Sequence, residues 1–300
     1  MSTEIDSKKS SEINNITKNN SERIDFNDKK RIVFKVGTST ITHEETGALD
    51  LLKLEKFIRI VSDLHNRGKD VVIVSSGAIA VGRRALGLRE RPTDQAVKQA
   101  CAAVGQIRLM TVYQKIFSEY NQKTAQILMT KVTIADDTSR HNAQNTFREL
   151  LHMGVIPIVN ENDTVATDEF TLSDNDYLSA IVAAISGADM LVLLSDIDGL
   201  FSDDPSVNPS AVRIPRVDMI TDEMLEMAGG PHTDLGTGGM ISKLEAAGIA
   251  NDAGADMVII NGNDMDNIER VFNGEDIGTL FTAHKTKHFH LKNYLDRQRI

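Results

Sequence analysis

The chain has one cysteine, Cys101, and no tryptophan in 300 residues. A lone cysteine rules out an internal disulfide framework and fits a reducing setting, the cytoplasm. No apolar run approaches the roughly 20 residues that a membrane helix requires, so no membrane-spanning segment is expected. Positive charge is also in short supply: 33 Lys and Arg face 43 Asp and Glu, a net charge of -10. That balance argues against a nucleic-acid surface, which needs clustered cations for phosphate contact. Residues 1–30 lack the apolar stretch of a signal peptide and hold too many acids for a transit peptide. Built of Ser, Asn, Glu, Asp and Lys with isolated isoleucines, they read as a disordered polar tail. No internal repeat is visible.

What the chain does have is an alternation of short β-branched runs with helical periodicities. Arg31 to Val36, Val71 to Val74, Thr124 to Met129, Val155 to Val159 and Met190 to Leu194 read as strands. Between them, Leu51 to Arg67 repeats apolar residues at Leu54, Phe57, Ile58, Val61 and Leu64, an amphipathic helix closed by Gly68. Further helices are expected at Ala96 to Tyr120, at Asn142 to Met153 and after the opening cluster Ser173 to Asp176. Ala255 to Asn261 and Gly278 to Phe281 read as closing strands, and residues 284–300 as a polar C-terminal tail. Strands alternating with helices at this spacing predict an α/β domain over residues 31–283 with a largely parallel, doubly covered sheet.

Three strand ends carry unusual residues. Lys35 sits inside an apolar strand and is followed at once by Gly37 and Thr38. A strand-end lysine serves either as a surface charge or, next to small donors, as a phosphate contact. Ser75-Ser76-Gly77-Ala78 again runs from a strand into a helix start, where free N–H groups favour an anion; Ser as an N-cap is the plainer reading. The stretch from Asn160 to Asp176 carries Glu161, Asp163, Asp168, Glu169, Asp174 and Asp176 and no Lys or Arg. It is either a solvated acidic loop or a site for an ammonium group, and Thr164 to Leu172 within it alternates like a short hairpin. The sharpest local signal is Gly236-Thr237-Gly238-Gly239-Met240, opening a helix in which Lys243 lies one turn in. Glycines let phosphate approach the backbone and the lysine adds a point charge. The spacing matches neither a Walker A motif nor a dinucleotide fingerprint.

Taken together and in this order, these runs, with Ala103-Val104-Gly105-Gln106 and Val159-Asn160-Glu161-Asn162-Asp163, resemble the amino acid kinase family. Within it, the Asn-Glu-Asn-Asp and Ala-Val-Gly-Gln runs resemble the branch that phosphorylates glutamate. The resemblance implies a three-layer αβα sandwich on a mainly parallel eight-stranded sheet. It implies transfer of a phosphoryl group from ATP, with Mg²⁺, to the γ-carboxylate of L-glutamate, the first step of proline biosynthesis. It assigns Lys35 and Lys243 to the transferring group and Asp176 to orienting them. Ser76, Gly77, Ala78, Asp163 and Asn175 would bind glutamate. Lys35, Gly37, Thr38, Ser195, Asp196, Thr237, Gly238, Gly239, Met240, Ile241, Ser242 and Lys243 would bind nucleotide. No metal ligand is assigned, since Mg²⁺ is expected on the ATP phosphates and water. The resemblance also implies a homo-oligomer, dimer or tetramer, and a separate reductase that takes the product; many members carry a C-terminal RNA-binding-type module, which is not expected in this sequence. Ser195, Phe201 and Ser242 stand where the family commonly has Thr, Tyr and Thr.

The residues permit this chemistry. A γ-carboxylate with a reference pKa of about 4.3 is ionised at neutral pH, so the nucleophile needs no general base. Phosphoryl transfer then depends on positioning and charge neutralisation. Two other readings stand: a related kinase whose acceptor is aspartate, and a non-catalytic amino-acid sensor.

Overall fold

The computed structural model describes residues 26, 28–43, 45–165, 175–228, 239–286, 289–292 and 294. Its strands are β1 (Arg31–Val36), β2 (Asp70–Ser75), β3 (Lys123–Met129), β4 (Val155–Glu161), β5 (Met190–Ser195), β6 (Leu200–Phe201), β7 (Arg213–Ile214), β8 (Arg216–Val217), β9 (Asp256–Asn261) and β10 (Thr279–Phe281). The helices are α1 (Thr38–Ile41), α2 (Leu51–Asn66), α3 (Ala78–Ala85), α4 (Gln95–Glu119), α5 (Lys131–Ala135), α6 (Asp137–His152), α7 (Asn175–Ser186), α8 (Asp222–Ala228), α9 (Met240–Ala253) and α10 (Asp266–Phe272).

Eight strands form one sheet in the order β3-β4-β2-β1-β5-β9-β10-β8. β1, β2, β3, β4, β5 and β9 run parallel; β10 lies antiparallel to β9, and β8 runs parallel to β10. β6 and β7 make a separate hairpin. The core strands are apolar on both faces because helices cover both. Along β1, Ile32, Phe34 and Val36 enter one core with α2, α4 and α10, while Val33 enters the other with α6, α7, α8 and α9. The three-layer sandwich and mainly parallel sheet expected from the sequence are therefore present.

The structure departs from the sequence reading in several places. Asn160 and Glu161 belong to β4 rather than to a loop, since they pair with Leu128 and Met129 of β3. α6 begins at Asp137, five residues before the expected Asn142, because Asp136 accepts a hydrogen bond from Ser139 N–H and caps it. Phe26, inside the expected polar tail, is buried and meets the Phe272 ring edge-on at 6.1 Å. In the C-terminal segment Leu291 is buried, Phe289 packs on Tyr294, and the Tyr294 hydroxyl donates to Asp252. The hairpin expected from Thr164 to Leu172 lies outside the described residues beyond position 165.

Candidate active site

The alternation of β1 decides where Lys35 points. It continues the Val33 face, toward α7 and α9, and its amine meets Asp176 Oδ1 at 2.6 Å. Lys243, one turn into α9, reaches Asp176 Oδ2 at 3.1 Å. Asp176, in the first turn of α7, has no solvent exposure, and the two lysines are 8% and 6% exposed. Burial pushes the Asp176 carboxyl up, but the charges and hydrogen bonds of Lys35 and Lys243 outweigh it and hold the group below the usual carboxylate range. The result is a dry triad in which two ammonium groups share one carboxylate. Removing one partner from a buried pair of this kind costs about 3–5 kcal/mol.

Around the triad, the helices differ in how they begin. α2, α4, α5 and α6 are capped by the side chains of Asp50, Asp94, Thr130 and Asp136. α1, α3 and α9 follow Gly37, Gly77 and Gly239 and have no side-chain cap, as is also true of α10 after Met265. A Cβ at Gly37 would stand 3.4 Å from the Lys35 amine. Gly77 has φ +98°, a left-handed conformation that L side chains rarely adopt. The uncapped starts of α1 and α9 thus leave backbone N–H groups beside the lysines, where anionic oxygens are favoured.

On the other side of β1, at the ends of β2 and β4, amides dominate. Asn175 Nδ2 donates to Ser76 Oγ at 2.6 Å and to the Ser75 carbonyl at 3.2 Å. It also approaches Asn160 Oδ1 at 3.3 Å, and Asn160 Nδ2 donates to Gln106 Oε1 at 2.9 Å. Beneath them the buried Tyr113 hydroxyl and Ser75 Oγ lie 3.0 Å apart; burial pushes Tyr113 up to about 12. Asp163 stands in the turn after β4, where burial raises its carboxyl to about 6. α3 is locked against α4: a Cβ at Gly82 would come 1.8 Å from the Cys101 carbonyl oxygen, and one at Gly105 would come 1.7 Å from that of Ala78.

Of the residues singled out in the sequence, Lys35, Asp176 and Lys243 converge, as do Ser76 and Asn175. Gly37, Thr38, Gly77 and Ala78 border them at the ends of β1 and β2. Ser195 donates instead to Asp196, at 3.1 Å, at the end of β5. Gly239 and Ser242 are joined in the first turn of α9, with Met240 and Ile241 between them. Thr237 and Gly238 lie outside the described residues. Sequence reasoning gives no site role to Gln106 or Asn160. Their link spans elements far apart in the chain, and no local spacing signals it.

Residues 30–261 match the profile described as the amino acid kinase family. Similar relatives include the glutamate 5-kinase of Carboxydothermus hydrogenoformans, 49% identical over 271 residues, which are 90% of this chain and 73% of that protein. The glutamate 5-kinase of Clostridium perfringens is 48% identical over 86% of this chain and 97% of its own length. That of Clostridium tetani is 50% identical over 86% and 96%. Among solved structures, an isopentenyl phosphate kinase in complex with substrate has a TM-score of 0.60 at 17% identity, covering 84% of this chain and 99% of that one. UMP kinase from Ureaplasma parvum has a TM-score of 0.58 at 17% identity, covering 85% and 99%. At such identity these two structures speak for the fold alone. Profile, relatives and sheet topology agree, and the chain belongs to the amino acid kinase family.

Proposed function

We propose that this chain transfers the terminal phosphoryl group of ATP to the γ-carboxylate of L-glutamate, yielding L-glutamyl 5-phosphate at the start of proline biosynthesis. The observation that carries the chemistry is the buried triad, two lysines held by one aspartate at the C-terminal ends of the strands. The acceptor is supported by relatives bearing the name glutamate 5-kinase at nearly half identity. In open α/β sheets, ligands sit at this end of the strands.

In this reading a γ-carboxylate oxygen attacks the terminal phosphorus, the bond to the bridging oxygen of ADP breaks, and no proton moves. Lys35, from β1, and Lys243, from α9, stand on either side of Asp176 and neutralise charge on the transferring group. Asp176 keeps both amines in place. The start of α9 from Gly239 to Ser242, with Gly37, Thr38, Ser195, Asp196, Thr237 and Gly238, binds the nucleotide. Ser76, Gly77, Ala78, Asp163 and Asn175 hold glutamate, with Asp163 paired to its ammonium group. Among the described residues no group of three His, Cys, Asp or Glu side chains is placed to hold a metal. A Mg²⁺ ion would come to the site on the nucleotide's own phosphates and water, where it would neutralise charge. The acyl phosphate product calls for a separate reductase. We place the enzyme in the cytoplasm as a homo-oligomer; among the described residues no helix is long and apolar enough to cross a membrane.

The test is acyl phosphate formation from ATP and Mg²⁺, trapped by hydroxylamine, with glutamate and aspartate in parallel. Hydroxamate from glutamate alone is the expected result. Product from aspartate would reassign the acceptor, and ligand binding without product would remove the enzyme reading.

A further inference from the structure

The amides beside the triad form a relay whose direction can be worked out. An amide's oxygen and nitrogen are told apart by their partners, and here two partners are backbone groups with only one possible role. Glu161 N–H can only donate, and it meets Asn160 Oδ1 at 2.9 Å. The Ser75 carbonyl can only accept, and it meets Asn175 Nδ2 at 3.2 Å. Asn160 therefore turns its Nδ2 toward Gln106 Oε1, at 2.9 Å. Two consequences follow for a ligand. Ser76 Oγ already accepts from Asn175, so its hydrogen is left to donate to a carboxylate. Asn175 spends its Nδ2 inside the relay and has Oδ1 left as an acceptor, suited to an ammonium group.

Gln106 anchors the far end. It is 8% exposed, and its Nε2 has no hydrogen-bond partner among the described residues. A buried donor left unpaired costs about 1–3 kcal/mol, so an apolar residue would suit the fold at least as well. The close crossing at Gly105, where a Cβ would strike the Ala78 carbonyl oxygen at 1.7 Å, leaves α4 no room to carry Gln106 away.

We propose that Gln106 is a positioning residue that holds Asn160, and through it Asn175, in place in the acceptor pocket, and thereby selects substrates bearing an α-ammonium group. Gln106 itself touches Asn160, not the ligand. This inference rests on glutamate being the acceptor, and the test keeps the two apart. Wild type, Gln106→Met and Gln106→Glu are compared in steady-state kinetics with glutamate, with ATP, and with glutarate, which lacks the ammonium group. Met matches the glutamine in size, removes the unpaired Nε2 and deletes the acceptor for Asn160; Glu retains an acceptor oxygen. Losing one ammonium contact should raise the glutamate KM of Gln106→Met about tenfold and lower its preference for glutamate over glutarate about tenfold. Its kcat and ATP KM should stay within about threefold, and Gln106→Glu should remain within about threefold of wild type throughout. An unchanged glutamate KM and preference in Gln106→Met would overturn the inference. So would parallel losses in kcat and ATP KM, or a Gln106→Met protein that does not fold, since the residue would then be structural. Wild type that fails to phosphorylate glutamate would instead overturn the acceptor assignment beneath it.

Discussion

Both ends of the sheet carry ion pairs, and they differ in how the charges are shared and in depth. At the N-terminal ends of the strands, Lys29 pairs with Asp256 and Arg31 with Asp70, each at 2.8 Å. Asp189 accepts from the backbone N–H groups of Lys30 and Arg31 at 2.9 and 2.8 Å. These paired side chains are 15–37% exposed, and each of the two cations meets a carboxylate of its own. At the C-terminal ends two cations meet on a single carboxylate, Asp176, which has no exposure at all. Exposed pairs contribute about 0–1 kcal/mol and are screened by salt. The first network ties strand ends and loops together. The second gathers two ammonium groups around one carboxylate inside the protein, where solvent screens them far less.

The sharpest way to break this comparison is Lys243→Ala. It should lower kcat about 1,000-fold while ATP affinity, read by calorimetry, moves only a few-fold. Equal losses in both would mean that the triad merely binds. Asp176→Asn comes next. With the shared carboxylate gone, the two amines repel each other in a dry site, and kcat should fall about 100-fold with a stability loss on the order of 3–5 kcal/mol by denaturant unfolding.

A pH titration sharpens the contrast further. Asp163, raised to about 6 by burial, must be ionised to hold an ammonium group. The glutamate KM should therefore rise roughly tenfold between pH 7 and 5, and glutamate binding near pH 6 should release a proton, detectable by calorimetry in buffers of different ionisation enthalpy. The sign for stability is the opposite. The folded protein holds this proton at a higher pH than the unfolded chain does, so the group's contribution is present below its unfolded pKa and is lost as pH rises through about 6. Asp163→Asn should abolish both dependences. The smallest effect is expected at the other end of the sheet: Asp189→Ala should cost about 1–2 kcal/mol and leave both KM values within about twofold, as kinetics and thermal unfolding would show.

Much of this contrast was legible in the sequence, because strands buried on both faces write themselves as unbroken apolar runs. Lys35 stood out because a charge inside such a run has few places to go, and the Val33 face carried it to Asp176. Lys243 was placed by helix periodicity after Gly239. The start of α6 was not legible, since Asp137 to His141 is polar and shows no apolar stripe; a single cap from Asp136 sets it. Nor was β8, a strand of two residues that is too short to show a period, whereas β10 falls within the closing strand read at Gly278 to Phe281. Phe26 is a lone aromatic in a polar stretch, and only the Phe272 surface gives it a place. Gln106 and Asn160 sit in recognisable runs, but their meeting is a property of how α4 lies against β4, which no local pattern records.

The position of β1 sets the order in which this molecule can be assembled. Among the described strands it is the first to leave the ribosome, yet it lies in the middle of the sheet, between β2 and β5. Until residues 190–195 have been made, one whole edge of β1 has no partner strand, and an open edge can pair with another chain. Lys35 waits longer still, because Lys243 is synthesised after every strand but β9 and β10. Long-range pairing of this kind is slow to form. The lysines can gather around Asp176 only once most of the chain exists, so nascent fragments lack the site altogether.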